Sequence, residues 1–206
     1  MKDTCLEVAV FDAAPELTDR LHLELHRALR GAEGYVASLP LRASGPERSP
    51  LRADLVLWAS ARAAQAAAEV IPKRRDLASF FGAIAEIRVF HHYRGATPEH
   101  LAALETSPFF ELAGYPRGPV EAQEVRAQVH RALEGRPEVR ARVAAFAEGE
   151  ETERTPGALD ILGWVSPEAM REGPKMVLNA YPELASFFEG APEMSVFALF
   201  EKVHAA

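Results

Sequence analysis

Short apolar runs punctuated by turn residues divide the chain into strands and helices, and the same pattern of elements is met twice. Leu6 to Phe11 is a strand-like run, and Pro15 behind it marks a turn. The period then changes: Leu21, Leu25, Ala28 and Leu29 fall on one face of a helix that Thr18 can cap, and Gly31 stands where a helix C-terminus wants a left-handed residue. Tyr35 to Leu41 reads as a second strand, the polar loop Ser44 to Pro50 turns the chain, and Asp54 to Trp58 returns as a third. Ser60 caps an alanine-rich helix, Ala61 to Ile71, which ends at Pro72. A turn from Asp76 to Phe81 supplies a Phe-Phe pair, and Ile87 to Tyr93 is the closing strand.

The second set of elements follows in register. Leu6 to Phe11 matches Phe110 to Tyr115 at an offset of 104, as does His26 to Gly31 against His130 to Gly135. The offset is 106 for Asp54 to Ser60 against Asp160 to Ser166, and 107 for Asp76 to Phe81 against Glu183 to Phe188. Insertions that fall between elements are what two copies of one fold accumulate in their loops. In the second copy Val139 to Ala147 and Leu159 to Trp164 are the hairpin, with Glu148 to Glu151 as a solvated tip. Gly173-Pro174 is expected to kink the helix that Ser166 caps, and Met194 to Phe200 closes the copy.

Each copy runs strand, helix, strand, strand, helix, strand, the βαββαβ or ferredoxin-like unit of an α+β fold. Helices cover one face of such a sheet, so the other face needs a partner, and a second copy supplies it. The expected organisation is a first domain over residues 1–95, a linker over 96–107 and a second domain over 108–206. Thr97-Pro98-Glu99 provides a cap, an N1 proline and a first-turn acid, so the linker is read as a short helix to about Leu104. The two sheets are expected to pack face to face as an intramolecular barrel.

The residues Leu6 to Phe11, Leu57 to Ser60 leading into an alanine-rich helix, the Phe80-Phe81 turn and the strand ending His92-Tyr93 resemble the antibiotic-biosynthesis-monooxygenase group of the dimeric α/β-barrel superfamily. The resemblance covers roughly residues 6–94 and 109–202 and makes the chain look like a fused pseudo-dimer. It implies a cofactor-independent oxygenase acting on, or a protein binding, a small polyphenolic molecule. Heme degraders of that group use an Asn, a Trp and a His that would fall near Ala9, Ala66 and Gly82, so heme cleavage by that route is not implied.

Composition narrows the partners. A net charge of −7 without a basic stripe disfavours nucleic acid and anionic membranes, and no apolar run is long enough to span a bilayer. The opening residues lack a signal-peptide pattern, so the cytoplasm is the expected compartment, and further homodimerisation is compatible with the fold. Cys5 is the only cysteine, which excludes internal disulfides and thiolate metal centres.

The candidate chemistry lies in the first copy. His22 and His26 are four apart on one helix, a ligand spacing, but Glu24 points elsewhere. They are read as polar residues at the boundary of an amphipathic helix, and no metal and no cofactor is expected. His91 and Tyr93 share one face of the closing strand and His92 the other, whereas their counterparts Ala198, Leu199 and Phe200 are apolar. The expected site therefore has Trp58 and Tyr93 against an aromatic ligand, with His26 or His92 taking a phenolic proton. The second copy is expected to be mainly scaffold. A non-catalytic binding or structural pseudo-dimer is the alternative, since it needs no unusual residues.

Overall fold

Strict alternation along the first strand decides which layer each residue joins. β1 (Cys5–Ala13) sends Leu6, Val8 and Val10 into one cluster and Cys5, Phe11 and Ala13 into another. The computed structural model describes residues 4–44, 49–115, 120–149, 156–185 and 196–204. It continues with α1 (Asp19–Leu29), β2 (Tyr35–Ala43), β3 (Leu51–Trp58), α2 (Ala61–Val70), α3 (Ala78–Gly82) and β4 (Ile84–Arg94). After α4 (Pro98–Glu105) come β5 (Phe109–Tyr115), α5 (Val120–Ala132), β6 (Val139–Ala147), β7 (Ala158–Trp164), α6 (Pro167–Ala180) and β8 (Val196–Lys202).

The eight strands of the described residues close into one antiparallel barrel in the order β1-β3-β2-β8-β5-β7-β6-β4. Within each half the ladders share their register: Glu7 sits opposite Val56 and His92, and Glu111 opposite Leu162 and Leu199. Even the irregularity recurs, since Tyr35 and Ala37 straddle one in the first half and Val139 and Ala141 in the second. The halves join along two short seams, Leu41–Ala43 with Phe200–Lys202 and Tyr93–Arg94 with Phe146–Ala147.

So few ladder pairs cannot hold the halves together, and the barrel interior does it instead. Leu6, Leu55 and Leu57 of the first half form a single cluster with Phe110, Leu112 and Ile161 of the second. The linker joins this core. Thr97 caps α4 through the backbone of His100, and Leu101 and Leu104 enter the same interior cluster. The caps at Thr18, Ser60 and Ser166 are likewise present.

Three local expectations are corrected. The left-handed residue after α1 is Gly34, at φ 77°, because the chain makes a further turn past Gly31 before it meets α2. A Cβ at Gly34 would lie 2.5 Å from the Ala63 Cβ, so close approach as well as dihedral requires glycine. The buried face of α1 is centred on His22, Leu25, His26 and Leu29, so both histidines are core residues and not boundary ones. α6 runs past Gly173 and Pro174 as one helix, ending at Ala180 where about Leu178 was expected, with Gly173 seated on the Trp164 ring. Glu150, Glu151, Phe187, Phe188 and Met194 lie outside the described residues. No helix of those residues is long and apolar enough to cross a membrane.

Because the inner face of the first half is covered by the second half and by α4, residues 1–95 expressed alone should self-associate or aggregate through Leu6, Val8, Leu55 and Leu57. Light scattering after size exclusion checks this, and a stable monomer would contradict the account of the core.

Candidate functional site

The outer face of the first half's sheet carries Glu7, Ala9 and Phe11 from β1 and Asp54, Val56 and Trp58 from β3, two residues apart along each strand. Helices α1, α2 and α3 roof this face and leave a cavity of about 340 Å³. Its walls include Phe11, Trp58, Phe80, Phe81 and Phe90, with Leu25 and Leu29 from α1, and α2 contributes only Ala67 and Ala68. Small side chains there leave space that larger ones would fill.

Glu7 and Asp54 are the charged residues of that wall, and each has imidazole behind it. His92 Nε2 lies 3.2 Å from the Glu7 carboxylate. His22 and His26 present their Nε2 atoms to a single Asp54 oxygen at 2.5 and 2.7 Å. His26 is held further by Ser38 Oγ at 2.7 Å from its Nδ1, and that hydroxyl meets the Tyr35 phenol at 2.9 Å. The His22 ring stacks on Phe80 with centroids 5.8 Å apart.

Burial alone would raise the Asp54 pKa, but the two histidines outweigh it and hold the carboxyl well below its usual range. Burial lowers His26, with Asp54 offsetting only part of the effect. Cys5 is inert by the same physics: burial, reinforced by Glu148 and Glu7, pushes its thiol up to about 12.

Of the residues expected from sequence, Trp58 lines the cavity, His26 stands directly behind Asp54, and His92 stands behind Glu7 on the same outer face. Tyr93 does not join them. It is fully buried in the barrel interior, on the opposite face of the sheet from Trp58, because it is one residue out of phase with His92. The two carboxylates were missed as chemistry. Their signal was available: Glu7 recurs as Glu111 and Asp54 as Asp160 at the offsets of the repeat, in strands that are otherwise almost wholly apolar.

The second half keeps that frame with one change. His130 Nε2 is 3.0 Å from Asp160, but at the His22 position stands Arg126, which grips both Asp160 oxygens at 2.5 and 3.0 Å. The guanidinium also lies over the Tyr115 and Phe146 rings. Burial, then the neighbouring Asp160 charge, lifts Glu111 to about 7. The second half thus holds a buried charged cluster of its own.

No protein-family model matches the chain, and no curated protein matches it by sequence. Solved structures do match in fold. An anthrone oxidase-like protein superposes with a TM-score of 0.61 at 15% identity, over 99% of this chain and 92% of that one. A protein of Lactobacillus acidophilus with a provisional monooxygenase designation gives 0.54 at 8% identity, over 98% and 93%. Chlorite dismutase of Candidatus Nitrospira defluvii gives 0.59 at 11% identity, over 100% and 93%. The chain shares the fold of these proteins, and likeness at these identities carries no chemistry.

Glu111 offers a test of the electrostatics. Its folded acid form persists to about pH 7, so between its unfolded value of 4.5 and that point the folded chain binds more protons than the unfolded one. Stability must fall as pH rises through this window, by roughly 3 kcal/mol at most from this group. Glu111→Gln should raise the urea midpoint at pH 8 and change it little at pH 5. Equal effects at both pH values would contradict the assignment.

Proposed function

We propose that the first half binds a small, flat aromatic molecule in the cavity beside Trp58 and oxidises it with O₂ without a cofactor. The observation that carries this reading is a cavity of aromatic and aliphatic walls in which Glu7 and Asp54, each hydrogen-bonded to imidazole, are the charged groups. Glu7 accepts a proton from a phenol or an activated ring CH₂, and His92 shares it. The resulting anion supplies the electrons: one oxygen atom of O₂ replaces the two hydrogens of the CH₂ as a carbonyl oxygen, and the other leaves as water. His26 keeps Asp54 charged and fixed, and the buried Trp58 indole N–H, which has no hydrogen-bond partner among the described residues, is a donor for a substrate oxygen.

The fold likeness to an anthrone oxidase-like protein supports this reading, as do the sequence features that resemble the antibiotic-biosynthesis-monooxygenase group. On the same reading residues 1–95 and 108–206 are duplicated ferredoxin-like domains joined by 96–107, supported by their matching registers and bulges. The barrel is then complete within one chain, which would work in the cytoplasm without a partner subunit. Non-catalytic ligand binding is the second reading, and one observation favours it: of the two cavity carboxylates Asp54 is held too low to serve as a base, which leaves the chemistry to Glu7 alone.

An oxygen electrode with anthrone and hydroquinone substrates, beside Trp fluorescence titrations, separates the two. Wild type should bind and consume O₂. Glu7→Gln should bind with about 100-fold slower turnover, or slower still. Trp58→Phe should abolish the fluorescence response, and Trp164→Phe should not. Binding without O₂ uptake selects the second reading, and no binding by wild type removes both.

A further inference from the structure

We propose that His22, His26 and Asp54 form a site for a divalent first-row transition-metal ion, seated where the second half holds the Arg126 guanidinium. The three residues converge from two elements. His22 and His26 are one turn apart on α1, Asp54 rises from β3 beneath them, and one ligand atom from each lies within 4.8 Å of the others. Ligands at about 2.0–2.2 Å from an ion stand roughly 3.0–3.4 Å from one another, so the imidazoles would retreat from Asp54 by about half an ångström. Two imidazoles and a carboxylate suit zinc, iron(II) or cobalt(II). When the His26 Nδ1–H donates to Ser38 Oγ, Nε2 carries the free lone pair, and the Tyr35 hydroxyl fixes that serine in turn.

The second observation is the asymmetry between the halves. Asp160 is buried and has a permanent cation, since Arg126 holds both of its oxygens. Asp54 is as deeply buried, yet among the described residues its ion-pair partners are His22 and His26 alone. A buried carboxylate needs a countercharge. A bound ion supplies it where arginine is missing, and a proton shared with imidazole is the competing solution that the experiment has to exclude. His22 and His26 do not line the cavity, so the ion would act behind Asp54. The inference is independent of the proposed oxygenase activity.

The test uses the full chain, stripped with a chelator, dialysed and free of aromatic ligand. Cobalt(II) is titrated while the visible ligand-field bands are followed, and zinc(II) is titrated by calorimetry. Wild type should take up one equivalent at micromolar or tighter affinity. His22→Arg copies the second half, so it should remain folded by near-UV circular dichroism while binding at least about 100-fold more weakly. Ser38→Ala should bind about 10–100-fold more weakly, through loss of the group that orients His26. His26→Gln serves if His22→Arg does not fold. Absence of saturable binding by wild type at millimolar metal overturns the proposal, as does wild-type affinity in His22→Arg or His26→Gln.

Discussion

A carboxylate placed in the middle of an apolar strand has to be answered from the helix packed on that strand, and this constraint organises the outer layer of both halves. Asp54 and Asp160 sit on the helix-facing side of β3 and β7, each only 5% exposed. Neither can be solvated, so α1 and α5 must bring cationic or hydrogen-bonding groups to them. The first helix brings His22 and His26, and the second brings Arg126 and His130. These contacts fix the rotation of each helix about its axis, and with it which side chains face the sheet. The amphipathic stripe of α1 thus runs through two histidines and two leucines, not through leucines alone.

The same constraint accounts for what could be read from sequence and what could not. Period, caps and turns are local, so the helices behind Thr18, Ser60, Thr97 and Ser166 were legible, as were most strands to within a few residues. The matching stretches of sequence added non-local information, because a one-sided sheet met twice leads to the expectation of a shared interior, and residues of both halves do meet in one cluster. His22 and His26 were misplaced because boundary and core positions of a helix differ only in what faces them, and Asp54 is distant in sequence. Gly31 and Gly34 both follow α1, and it is the close approach to Ala63 of α2, distant in sequence, that marks Gly34 as the left-handed position. Tyr93 was grouped with Trp58 because the strand's alternation relates His91, His92 and Tyr93 to one another but not to the helix side. That last relation depends on pairing with β1, where Leu6 faces Tyr93 and Glu7 faces His92.

The two outer faces also differ in how the helix meets the tryptophan. In the first half Trp58 borders a cavity to which α2 contributes Ala67 and Ala68. In the second, Gly173 and Pro174 stand at the same offset of 106 that relates the two tryptophans, and the Trp164 ring packs directly against Gly173, where a Cβ would meet it at 2.7 Å. A helix that rests on the ring closes the space above the strand, and one that stands off on alanine methyl groups opens it. The buried Met170, which replaces Ala64, adds further volume on that side. Near-identical sheets with matching registers therefore carry unlike outer layers.

Divergence of this kind follows from the way the barrel is closed. The core shared by both halves lies inside the barrel, where Leu6, Leu55, Phe110 and Ile161 meet, and it is satisfied whatever the helices carry on the outside. Two identical subunits that paired through such a core would be bound to present two identical outer faces, because one sequence serves both. Within a single chain that symmetry is not imposed. One face can keep titratable imidazoles beside its buried aspartate while the other takes a permanent guanidinium, and one can keep a cavity while the other packs a methionine. The linker helix that carries Leu101 and Leu104 into the interior makes the arrangement intramolecular, so the asymmetry is fixed by the order of the chain and cannot be averaged by exchange of partners.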